Sequence, residues 1–189
     1  MKSVLGMLFF LFVGFVLQTT ALPHFFLMLA KSTGLSFLGG HTIHLSLLLL
    51  LHLSFSRDFS GSLSWGVTVG VMATWFGLAW PGATLASFFL MSVFGFLLSR
   101  RIVLEGSVGG FLLTAGLVFF YGVFHTWALK IFHHVSVPLA TQGLTILIQT
   151  VLDSLAAPIL YWMLAAFDRR AMGEDHRTGT SILLPTAGW

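Results

Sequence analysis

The chain has no cysteine among its 189 residues, which excludes disulfides, thiol nucleophiles and thiolate metal sites. Charge is nearly as scarce. Asp, Glu, Lys and Arg make up 8% of the sequence, against roughly 25% in a soluble domain. With 57% hydrophobic residues and a mean hydropathy of +0.95, the chain reads as an all-α integral membrane protein. No segment outside the apolar runs is large enough to bury a core of its own, so a single membrane domain over 1–170 and a short cytoplasmic tail over 171–189 are expected.

Equipment for chemistry is also missing. Gly61-Ser62-Leu63-Ser64-Trp65-Gly66 lacks the Gly-x-Ser-x-Gly spacing and strand–turn–helix setting of a nucleophile elbow. There is no Gly-x-Ser-Gly of a rhomboid-type protease, no phosphate loop, and no pair of carboxylates for acid–base work. Asp153 is the one acid well inside an apolar run. An enzyme is therefore not expected, and no cofactor or metal is assigned. A net charge of +3 gives no reason to invoke nucleic acid; in such a chain the basic residues report topology.

Six apolar runs carry the fold, at about 4–22, 41–55, 63–80, 83–99, 108–129 and 140–167. The first follows Met1-Lys2 and resembles a secretory signal, but its length approaches that of a span, so it is read as a retained helix. Residues 23–30 are too short to cross and are expected at the outer surface or re-entering, closed by Lys31-Ser32-Thr33-Gly34. Six crossings put Lys2, Arg57, Arg100, Arg101, Arg169, Arg170 and Arg177 on one side and only Lys31 and Lys130 on the other. Positive charge is retained in the cytoplasm, so both termini are expected there.

The stretch 64–101 is read as the organising one: a helix, a tight Ala79-Trp80-Pro81-Gly82 turn, a second helix, and Arg100-Arg101. Gly66, Gly70, Thr74 and Gly77 share a face of the first helix, a spacing that lets another helix approach closely. In the last span, Gln142, Thr145, Gln149, Asp153 and Ala156 fall on one stripe at 100° per residue, and Pro158 follows, where a kink is expected. A carboxylate in lipid costs ~2.5 kcal/mol or more, so the stripe must face protein or water. It is either a hydrogen-bonding seam against the small face of the 63–80 helix or the lining of a ligand pocket. His41, His44 and His52 are placed on one face of the second span, within about 80°, without the carboxylate neighbours a metal site would want. His125 is the histidine expected to meet Asp153. His133-His134 falls in an outer loop.

In order and spacing these residues resemble the rod shape-determining protein MreD family, bacterial inner-membrane proteins of six spans. Gly66, Gly70, Thr74 and Gly82 followed by Arg100-Arg101, then Asp153, Pro158 and Arg169-Arg170, correspond to that family's motifs over about residues 41–170. Thr74 stands where the family has Asp, Asp153 where it often has Asn, and the Pro-Asp or Pro-Asn that often opens its second helix is missing near Thr42-Ile43. An acid moved from the third helix to the sixth would keep a Thr74–Asp153 contact. The resemblance implies a non-enzymatic scaffold of the cell-elongation (rod) complex, bearing on cell shape and peptidoglycan synthesis. It would bind MreC, help position RodA and its penicillin-binding transpeptidase, and lie near MreB at its cytoplasmic face. The small face of the third helix or the polar seam of the sixth is where a partner helix is expected.

The family resembles in fold the substrate-binding subunits of energy-coupling-factor transporters. A vitamin-like substrate subunit is therefore the alternative, with Gln142, Gln149, Asp153 and His125 lining an outward pocket. Helix 1 lacks the Ala-x-x-x-Ala docking patch of those subunits, which favours the scaffold.

Overall fold

A computed structural model describes residues 2–76, 80–101, 106–134 and 139–172. Among these residues the chain is helical and has no strand. It opens with α1 (Lys2–Val16), a π-helical turn (Leu17–Ala21) and α2 (Leu22–Thr33). These run on as one apolar rod, Val4–Thr33. The break expected after residue 22 does not occur. Pro23 has no N–H to donate to the preceding turn, and the π turn just before it is the kind of local adjustment by which a helix at membrane depth carries a proline without breaking. Thr19 Oγ1 donates back to the Phe15 carbonyl at 2.9 Å, serving a carbonyl at the irregular turn. Segment 23–30 therefore continues the first helix. Gly34, at φ +73°, ends the rod in the left-handed conformation that glycine adopts without strain.

The chain then doubles back. A 3-10 turn (Ser36–Gly40) lays Leu38 against Phe26 and Ala30 of α2, and the backbone runs extended at His41. Helix α3 (Leu45–Ser56) begins only after that. Next come α4 (Phe59–Trp75), α5 (Pro81–Arg101), α6 (Gly106–His133) and α7 (Leu139–Met172). Pro81 sits at the start of α5, the helical position that suits it best, and Gly82 is helical and exposed rather than the left-handed corner of a turn. Helix α7 runs through Pro158. The expected tail lies outside the described residues beyond Met172.

Among the described residues, four helices are long and apolar enough to cross a membrane: Val4–Thr33, Pro81–Arg101, Gly109–His133 and Gln142–Phe167. Helices α3 and α4, with 12 and 17 residues, fall short of the ~20 residues of an unaided span. Yet α3 is the centre of the molecule. Every residue from Ser46 to Phe55 is buried, as expected of a helix apolar on all sides, and α1, α4, α5 and α7 pack around it. Helices α4 and α5 form the wall beside it.

That wall is built from small side chains. A Cβ on Gly66 would stand 2.5 Å from Ser92 Oγ, and one on Gly70 would stand 2.9 Å from Leu85 Cδ1. The small face of α4 is thus filled by α5. Where α3, α4 and α5 meet, Ser62 Oγ lies 2.9 Å from the Ser92 carbonyl and 3.0 Å from Ser54 Oγ. Close backbone approach and short hydroxyl bonds of this kind hold helices together where lipid removes the hydrophobic drive.

Candidate functional site: a polar knot at the start of the central helix

An interrupted helix inside an apolar bundle leaves backbone groups to satisfy. The first N–H groups of a helix have no partner within it, and in lipid each unsatisfied group costs several kcal/mol. Residues 41–46 meet that demand with side chains from two other helices.

Asp153 of α7 supplies the largest share. Its Oδ1 accepts the His44 backbone N–H at 2.8 Å, and its Oδ2 accepts the His44 ring Nδ1–H at 2.8 Å. One turn earlier on α7, Gln149 Nε2 donates to Asp153 Oδ1 at 3.1 Å and to the Thr42 carbonyl. The Gln149 Oε1 takes the His41 Nδ1–H at 3.3 Å. From the opposite side, Gln18 in the π turn of the first rod accepts the Ser46 backbone N–H at 3.2 Å and its hydroxyl at 3.0 Å. Thr42 Oγ1 closes on the Gln18 carbonyl at 3.4 Å. A carboxylate at the positive end of α3 is also favourably placed against the helix dipole.

Position and burial say what this arrangement can do. Asp153 lies about 16 Å along α7 from Gln142 at 1.5 Å per residue, close to the middle of a hydrocarbon layer about 30 Å thick. Its side chain is 0% exposed while that of His44 is 28% exposed. The carboxylate is thus sealed, and the knot meets its surroundings through His44 and the half-buried His41, Thr42 and Gln149. A buried pair of this kind strongly resists loss of one member. It fixes where α3 starts and how α7 and the first rod are registered against it.

The expected contacts of this carboxylate are replaced. His125 does not reach Asp153. Ser87 Oγ spends its proton on the Ala83 carbonyl at 2.7 Å, so His125 Nδ1 donates to Ser87 at 3.0 Å, tying α6 to α5. The His125 ring stacks on Tyr121 at 5.4 Å, and the Tyr121 ring meets His44 edge-on at 6.1 Å. Thr74 does not reach Asp153 either, because its hydroxyl bonds the Gly70 carbonyl of its own helix at 3.0 Å. The seam of α7 meets the start of α3 rather than the small face of α4. His41 and His44 precede α3, so the three histidines do not share a helical face. His133 ends α6 with its ring 4.7 Å from that of Trp80.

The remaining candidates are scattered. Gly66 and Gly70 pack α4 on α5, Gly82 faces Phe132 at ordinary contact distance, and Pro158 is exposed on α7. Gln142 is half-buried and makes no side-chain hydrogen bond among the described residues. Gly77 lies outside the described residues. Sequence reasoning missed Gln18 and His44 as partners of the seam. The polar pair Gln18-Thr19 inside an apolar run was the available signal for the first. No family model, curated protein or solved structure matches the chain.

Proposed function

We propose that the protein is a non-enzymatic scaffold of the bacterial inner membrane, of the MreD kind, working through lateral contacts with other membrane helices. On this reading the chain crosses six times, with α3 and α4 as the two short crossings and both termini in the cytoplasm. The descending segment 36–44 supplies the depth that α3 lacks. Non-helical backbone at membrane depth is tolerated only where protein or water covers it, and here Gln18, Gln149 and Asp153 provide that cover.

The observation that carries the reading is the closure of the Asp153 knot. The one acid well inside a span is fully buried and committed to two neighbours, which leaves no open carboxylate for a substrate. Exposed apolar side chains, among them Leu5, Phe9, Leu144, Leu155 and Ile159, line the outward faces of α1 and α7. Since the small face of α4 is taken by α5, a partner helix is assigned to these outward faces. The proposed partners are MreC and, through it, RodA and its transpeptidase, with MreB near the basic cytoplasmic side.

Co-purification of the full chain from mild detergent tests this. Recovery of a single-span periplasmic protein is the expected result. Recovery of an ATPase module, or of a bound vitamin-like molecule, would overturn the scaffold in favour of a transporter subunit. For topology, periplasmic reporters fused after Arg57 or Arg101 should be inactive.

A further inference from the structure

A groove of about 480 Å³ opens between α5 and α6, away from the polar knot. Phe94 and Leu98 of α5 and Leu112, Leu113, Gly116 and Phe120 of α6 line it, so its wall offers no polar group to a soluble ligand. One end is closed by the Phe94 and Phe120 rings, 5.1 Å apart. Its other end points along α5 toward Arg100-Arg101.

The helical period decides which arginine serves that mouth. Arg101 follows Phe94 by seven residues and Leu98 by three, so it falls within about 20° and 60° of them on the α5 surface. Arg101 is exposed and makes no hydrogen bond or ion pair among the described residues. Arg100 points elsewhere: its guanidinium reaches the Arg57 carbonyl at 3.5 Å and covers the Phe96 ring. An exposed cation therefore stands on the same face of α5 as the groove, toward its open end.

We infer that this groove holds one acyl chain of an anionic phospholipid, with Arg101 against the phosphate. The apolar lining and the adjacent cation together select that occupant, since acyl methylenes suit the first and a phosphate the second. A basic residue near a membrane surface favours anionic lipid by about 1 kcal/mol, or about fivefold. The inference needs only that α5 and α6 sit in the bilayer, and stands apart from the identity of any protein partner.

Gly116 makes the test clean, because a Cβ there meets nothing within 4 Å. Gly116→Leu should fold as the parent does while filling the slot. The full chain, purified in mild detergent with equal phosphatidylglycerol and phosphatidylcholine, is measured by native mass spectrometry. The parent should retain phosphatidylglycerol about fivefold over phosphatidylcholine. Arg101→Gln should bring the two to parity, and Gly116→Leu should remove the retained lipid with an unchanged melting curve. Equal retention of both lipids by the parent overturns the inference, as does undiminished retention in Gly116→Leu. If Gly116→Leu instead abolishes co-purification of a single-span protein and leaves lipid retention intact, the groove holds a helix and the inference fails. Should Gly116→Leu fold poorly, Arg101→Gln alone decides: an unchanged lipid preference refutes it.

Discussion

The seam between α4 and α5 and the seam between α3 and α7 solve the same problem by opposite means. Along the first, glycines and serines bring two continuous helices so close that a Cβ on Gly66 would overlap Ser92. Along the second, one helix is interrupted, and Asp153 and Gln149 bond the backbone that the interruption exposes. The dry seam depends on what is absent from the side chains, and the polar seam on what is present. One therefore fails by overpacking and the other by leaving polar groups unpaired.

Substitutions can separate the two. The largest effect is expected for Asp153→Leu, which strands the His44 N–H, its ring and Gln149 in an apolar setting. Loss of one member of a buried pair costs about 3–5 kcal/mol, read as a fall in melting temperature and folded yield in mild detergent. Asp153→Asn should cost less, since an amide oxygen still accepts the His44 N–H. Next is Gly66→Leu, which must force α4 and α5 apart at about 1–3 kcal/mol. Leucine at Gly143, where a Cβ meets nothing within 4 Å, should leave melting unchanged; a similar loss at both glycines would remove the packing argument. Ser87→Ala breaks a single bond to His125 and should cost about 0.6 kcal/mol, the average for polar contacts between membrane helices.

The smallest effect belongs to the turn outside the bundle. At Asp58 the Ser60 hydroxyl, 2.6 Å from Oδ2, is the main cause holding the exposed carboxyl below its ordinary value. A carboxyl whose pKa is depressed on folding contributes stability above its unfolded pKa and loses it as pH falls through the folded one. Melting of the parent and of Ser60→Ala should therefore coincide at low pH and separate slightly above the ordinary carboxylate range. A separation that grows on acidification would reverse the assignment.

How much of this was legible in the sequence follows from periodicity. The dry seam was readable because Gly66, Gly70 and Thr74 recur every four residues on a helix that is unbroken in the structure. What escaped was the owner of the opposing surface: α5 fills a face expected to await a partner. In the polar seam, the Gln149–Asp153 stripe was visible for the same reason, but its partners were not. Extending the apolar run of α3 back to His41 assumed helical geometry where the backbone is extended. The sequence Gly39-Gly40-His41-Thr42-Ile43 carries little helix propensity, and weighing it would have moved the start of α3 toward Leu45. The continuity of the first rod across Pro23 was hidden because a π turn leaves no mark in an apolar pattern. The central place of α3 was written in its unbroken leucines, though a lipid-facing helix would read the same way.

The claim on which the rest depends is that Asp153 works inward, on the start of α3. A double-mutant cycle on His44 and Asp153, followed by thermal unfolding of the full chain in mild detergent, tests it most directly. With His44→Ala and Asp153→Asn, the account predicts a coupling of about 0.5–3 kcal/mol, whereas the same cycle on Thr74→Ala and Asp153→Asn should be additive. Additive losses for His44 and Asp153, within about 0.5 kcal/mol, would contradict the account.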